Sequence, residues 1–153
     1  MKLSKIKFPK DKKILVYGYG NPGRQDDGLG YNFVKNLEEK NTQMFDLDFN
    51  YQLNIEDASN IADYDIVVFV DASLRIEEDF TFAPLKAAEE TRHTTHAISA
   101  QAVLHLCQQV YHKTPEAYLL EIKGYEWELD EKLTLKSEIA LKKALEFFDT
   151  IIN

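Results

Sequence analysis

The stretch ILVYGYGNPGRQDDGLG, residues 14–30, runs from an apolar segment into glycines and then into two adjacent aspartates. Residues 13–19 (KILVYGY) read as a buried strand feeding the loop. Gly18, Gly20 and Gly23 spell G-x-G-x-x-G, the pattern of a dinucleotide-binding turn. Such a turn offers free backbone N–H groups at a helix N-terminus to a pyrophosphate. Here Pro22 removes one donor, and Asp26 and Asp27 open the helix. Two carboxylates within ~5 Å of a phosphate would each cost several kcal/mol at an effective dielectric of about 20. The acid that should close the second strand is missing too, because Asp46 and Asp48 fall within that strand. A Rossmann-like nucleotide site is therefore the weaker reading. Capping accounts for one of the acids, since a carboxylate at a helix N-terminus gains ~0.3–1 kcal/mol. We assign the cap to Asp26 and leave Asp27 for chemistry.

Outward from this loop, the 153 residues alternate strand-like and helix-like segments. Leu29, Phe33 and Leu37 form one helical stripe over 29–39, and residues 44–53 (MFDLDFNYQL) alternate as a strand. Asn54 is placed to cap a short helix over 55–62, and residues 65–70 (DIVVFV) form a buried strand ending at Asp71. A short strand at 79–85 follows too closely for a parallel crossover, which takes a dozen or so residues, so it should run antiparallel at the sheet edge, where Pro84 is tolerated. Residues 97–112 carry helical spacing, with Thr94 or Thr95 as N-cap, and 116–123 (EAYLLEIK) make another strand. Thr134 opens a last helix with Leu141, Leu145, Phe148 and Ile152 inward. The alternation predicts one domain over 1–153, a three-layer α/β/α sandwich on a mixed, mainly parallel five-stranded sheet.

Composition narrows the function classes. Lys and Arg number 18 against 26 Asp and Glu, a net charge of −8, which opposes a nucleic-acid partner. Cys107, the single cysteine, sits in a helical apolar pattern and reads as a small buried hydrophobe. The opening MKLSKIKFPKDKK is basic without an apolar core, so it does not read as a secretory signal, and no apolar run approaches the ~20 residues of a spanning helix. A soluble, cytoplasmic monomer is expected.

Ligands of open parallel sheets bind beyond the carboxyl ends of the strands. Asp27 follows the first strand and Asp71 the third; if these strands are neighbours, both acids share one rim. The helix over 97–112 starts at the same rim, just after His96. Two carboxylates and an imidazole suit a divalent transition metal. Each has a plainer reading: helix capping for Asp27, a return to solvent for Asp71, an exposed loop for His96. His93 is a lesser candidate, and His105 and His112 read as surface or packing residues. Tyr125, Glu126 and Trp127 follow the last strand and could shape a peptide groove or simply a loop core.

VYGYGNPGRQDDGLG (16–30) resembles the opening signature of the hydrogenase maturation proteases: a strand, a G-x-G-N turn and an acidic pair before glycine. VDA (70–72), His96 ahead of a helix, and IKGYE (122–126) continue the pattern in order. The resemblance implies a five-stranded mixed sheet with one antiparallel strand. It implies an endopeptidase that trims the C-terminal extension of a nickel–iron hydrogenase large-subunit precursor once nickel is inserted. Asp27, Asp71 and His96 would then ligate nickel carried by the substrate, with zinc or cadmium as stand-ins. Asn21, Asp26, Tyr125 and Glu126 are expected to contact substrate, and no catalytic residue is assigned. One departure stands out: the family's D-G-G-T-type motif after the second strand is replaced by NYQLNIEDA (50–58), which has no glycine. That loss makes a non-catalytic, metal-sensing or chaperone protein docking on a metalloenzyme precursor the main alternative.

Overall fold

Strand β1 (Ile14–Tyr19) is buried along almost its whole length, as a central strand must be. The structure, a computed structural model, describes residues 6–40, 43–89 and 98–152. Around it lie β2 (Asp46–Asn50), β3 (Ile66–Ser73), β4 (Phe80–Pro84) and β5 (Glu116–Lys123), in the order β2-β1-β3-β5-β4. β1 pairs in parallel with both β2 and β3, and β3 with β5, whereas β4 runs antiparallel to β5. The short connection from β3 to β4 enforces that reversal, as expected, and Pro84 lies on the edge strand.

Helices α1 (Leu29–Glu39) and α4 (Leu135–Ile152) cover one face of the sheet. On the other lie α2 (Asp57–Ile61) and α3 (Ala100–Tyr111). The assignment follows from strand alternation: Val16, Val68, Val70, Leu120 and Ile122 point to the first face, and Leu15, Tyr17, Val67 and Phe69 to the second. Leu29, Phe33 and Leu37 of α1 are all buried, each contributing roughly 1.5–3 kcal/mol of transfer free energy. Phe148 of α4 packs edge-on against Phe8, Phe33 and Phe45. Cys107 is buried in the second core, as its pattern suggests.

Several boundaries differ from the sequence reading for local reasons. β2 stops at Asn50 because the Tyr51 N–H turns to the Asn50 side-chain oxygen. β3 continues to Ser73, carried by pairing with β5 out to Lys123, so Asp71 lies inside the strand. Asn54 makes no side-chain cap for α2; instead the Asp57 carboxylate accepts the Asn54 N–H at 2.9 Å. The cap of α3 is Ser99, whose hydroxyl accepts the Ala102 N–H, so that helix starts three residues later than predicted.

Candidate active site

The loop between β1 and α1 is set by two glycines. Gly20 has φ +129°, and a Cβ there would run into the Asp27 backbone carbonyl. A Cβ on Gly30 would lie 2.7 Å from the carbonyl oxygens of both Tyr19 and Val70, so only glycine lets α1 start so close to β1 and β3. This places a 3-10 turn, Gln25–Gly28, over the carboxyl ends of those two strands.

The turn's two acids part company. Asp26 is fully buried (0 % exposed). Its carboxylate accepts the backbone N–H groups of Tyr125 (2.7 Å), Glu126 (3.1 Å) and Thr134 (2.9 Å), and the hydroxyls of Thr134 (2.8 Å) and Ser137 (2.7 Å). Burial alone would raise its pKa, but hydrogen bonds led by Thr134 and Ser137 hold it below the usual carboxylate value. The predictions for Asp26 are thus corrected. It makes no side-chain cap of its own turn, and burial keeps it from substrate. It anchors the start of α4 and the segment after β5, both remote in sequence.

Asp27 is half-buried and keeps its place on the rim, where one carboxylate oxygen accepts the Asn21 N–H at 2.8 Å. Asp71 lies on the neighbouring strand β3, also half-buried. Burial, then the charges of Asp27 and Glu121, push the Asp71 carboxyl up to about 7, against hydrogen bonds from the Ala72 N–H (2.8 Å) and Tyr19 that lower it. Burial, then the charges of Asp71 and Glu121 and a hydrogen bond to Asp71, raise the Tyr19 hydroxyl well above its ordinary value. The topology thus brings Asp27 and Asp71 within electrostatic reach of each other. Two hard oxygen donors that repel one another, reachable from solvent, are a chemical fit for a divalent cation. His96 and His93 lie outside the described residues, and among the described residues no group of three His, Cys, Asp or Glu side chains is spaced to hold a metal ion.

Tyr19 and Glu121 escaped the sequence reading. Alternation gives the signal: Tyr19 follows Leu15 and Tyr17 onto the α2/α3 face, and Glu121 stands in register with Asp71 across β3 and β5. Asn21 lines a cavity of about 540 Å³ with Tyr31, Phe49, Tyr51 and Lys35. The Tyr125 ring sits between the ammonium groups of Lys123 and Lys136, at 5.4 and 5.5 Å, and Glu126 is exposed.

The same geometry speaks against a nucleotide. The Gly20 N–H is donated to Asn50 O, that of Asn21 to Asp27, that of Gly23 to the Asn21 side chain, and that of Arg24 to Asn21 O. The loop's donors are spent internally, and a pyrophosphate would find a carboxylate in their place.

No family model matches the chain, and no curated protein does. Solved structures do match. The NiFe hydrogenase maturation protease HycI from Thermococcus kodakarensis is 25% identical with a TM-score of 0.72, covering 93% of this chain and 94% of that one. The hydrogenase maturating endopeptidase HybD from E. coli is 20% identical with a TM-score of 0.71, covering 88% of each. A hydrogenase 2 maturation peptidase from a Thaumarchaeota archaeon gives 20% and 0.65, over 90% and 95%. The chain has the fold of the hydrogenase maturation proteases.

Proposed function

We propose that this chain is an endopeptidase that removes the C-terminal extension of a nickel–iron hydrogenase large-subunit precursor after nickel insertion. The observation that carries the reading is the convergence of Asp27 and Asp71 on the rim of a fold shared with maturation proteases. Asp27 and Asp71, with His96, would meet the nickel that the precursor already holds, so that a metal-free precursor is passed over. Nickel, arriving as part of the substrate, would act as a Lewis acid beside the scissile carbonyl. The chain's own residues supply the rest. Asn21 fixes one Asp27 oxygen through its N–H, and Tyr19 with the Ala72 N–H orients Asp71. Both acids are thereby oriented on the rim, where they would meet the metal. Asn21, Tyr125 and Glu126 border the path of the extension. The protein would act as a cytoplasmic monomer; no helix among the described residues is long and apolar enough to cross a membrane.

Incubation of the purified chain with nickel-loaded precursor tests this directly: the expected result is a shortened large subunit with nickel-loaded precursor and an intact one with the apo form. One observation favours a second reading. The glycine-free segment 50–58 is folded into a tight turn, with Leu53 buried and Asp57 bonded to the Asn54 N–H. Binding of the nickel-loaded precursor without trimming would establish the non-catalytic docking protein instead.

A further inference from the structure

The described residues include eight large apolar side chains that are exposed, and they are not scattered. Val110 and Tyr111 end α3, at the amino-terminal side of the sheet. The other six follow the carboxyl ends of strands or open α4. Tyr51 and Ile55 come after β2, Leu74 after β3, Leu129 after β5, and Leu135 and Ile139 lie one turn apart on α4. In the strand order β2-β1-β3-β5 these positions stand on both sides of Asp27 and Asp71, across ~15 Å of sheet at about 4.8 Å per strand. Leu129 and Leu135 are 85% and 78% exposed, so neither serves the core.

Charge is concentrated at the same end. Residues 51–56, 74–79 and 124–134 carry eight acids and two bases, which accounts for six of the chain's eight excess negative charges. Glu77, Glu78, Glu128 and Glu131 are all exposed. An apolar set with acids interspersed around a site is the complement of a protein face that is apolar and basic. It does not suit a free metal ion or a metabolite, neither of which can use contacts spread that far apart.

We propose that the carboxyl rim is one continuous docking surface for the folded body of the metal-carrying precursor, gripped by Tyr51, Ile55, Leu74, Leu129 and Leu135 and steered by the surrounding glutamates toward a basic face. This rests on the function proposed above and extends it. Recognition lies in a surface around the metal, and the extension peptide is only one part of what is bound. The anchors flank the two carboxylates, so docking presents the partner's metal to them.

The test compares the intact chain with two variants, using nickel-loaded large-subunit precursor as the probe. The triple variant Leu74→Ser, Leu129→Ser, Leu135→Ser alters only side chains outside the core and keeps Asp27 and Asp71. It should bind about thirty-fold more weakly and trim with a raised KM, while kcat at saturation and the melting temperature hold. Val110→Ser with Tyr111→Ser, at the other end, should bind as wild type does. Neutralising Glu77, Glu78 and Glu131 to Gln should slow association about tenfold at low salt and flatten its salt dependence. Unchanged affinity and KM in the triple variant would overturn the docking surface and leave the protease reading intact. A wild-type chain that neither binds nor trims the precursor removes both. If sedimentation shows a dimer that the triple variant abolishes, the rim's occupant is a second copy and the proposal falls.

Discussion

Asp26 and Asp27 are neighbours in the chain, yet the two regions they serve are opposites. The Asp26 pocket gathers five hydrogen-bond donors around one carboxylate and closes over it. The rim holding Asp27 and Asp71 sets two carboxylates within electrostatic reach of each other with few donors, and leaves both within reach of solvent. The first arrangement stabilises the fold in the charged state. The second is costly in the folded protein alone, a cost that a bound cation would relieve. A buried acid with full partners is architecture; an under-supplied pair of acids is the pattern expected where a ligand binds.

The sharpest way to break this contrast is Asp26→Ala. It leaves the Tyr125, Glu126, Thr134 and Ser137 donors unpaired in a buried space and should cost about 4 kcal/mol, read as a fall in the denaturation midpoint. Gly20→Ala should follow at about 3 kcal/mol, because a side chain at φ +129° is strained and meets the Asp27 carbonyl. On the rim the sign reverses. Asp71→Asn removes the repulsion with Asp27 and Glu121, and should stabilise the chain at pH 8 by on the order of 1 kcal/mol, or a few degrees in Tm. Asp27→Ala should leave Tm within about a degree while abolishing cadmium or nickel uptake in a calorimeter; a loss of several degrees would assign Asp27 to structure instead.

A pH series of melting temperatures sharpens the same comparison. The Asp26 carboxyl is depressed in the folded state, so its contribution is complete above the unfolded carboxylate pKa and is lost as pH falls through the folded value. The Asp71 carboxyl is raised to about 7, so the folded protein holds that proton more tightly than the unfolded chain does. Its effect is destabilising above pH 7 and is relieved as pH falls toward the unfolded value. Wild type should therefore gain stability between pH 8 and 5 before the Asp26 loss sets in, and Asp71→Asn should lack that gain.

Much of this was legible in the residues. The alternation over 116–123 set β5 to the residue, and the short connection ahead of β4 set its direction. The glycine-and-acid stretch placed Asp27 after β1 and the run 65–70 placed Asp71 after β3, and the pairing of those strands supplies the neighbourhood the reading required. What stayed hidden depended on partners far along the chain. Asp26 looked like a local cap because nothing near it reveals that Thr134 and Ser137 will arrive as donors. Asn54 reads as a cap because a single sequence does not show that Asp57 reaches back to it. Tyr19 required knowing which strand pairs with which before its hydroxyl could be set against Asp71.

The Asp26 pocket has a consequence for how the protein comes into being. Its donors lie 99 to 111 positions downstream, so the turn that presents Asp27 gains this long-range anchor only after residues 125–137 have left the ribosome. A nascent chain can lay down β1 and β3 early, but the loop over their ends firms up only when α4 docks. The turn that carries Asp27 is thus completed only when α4 docks, and damage to that helix would loosen a loop that lies far from it in sequence.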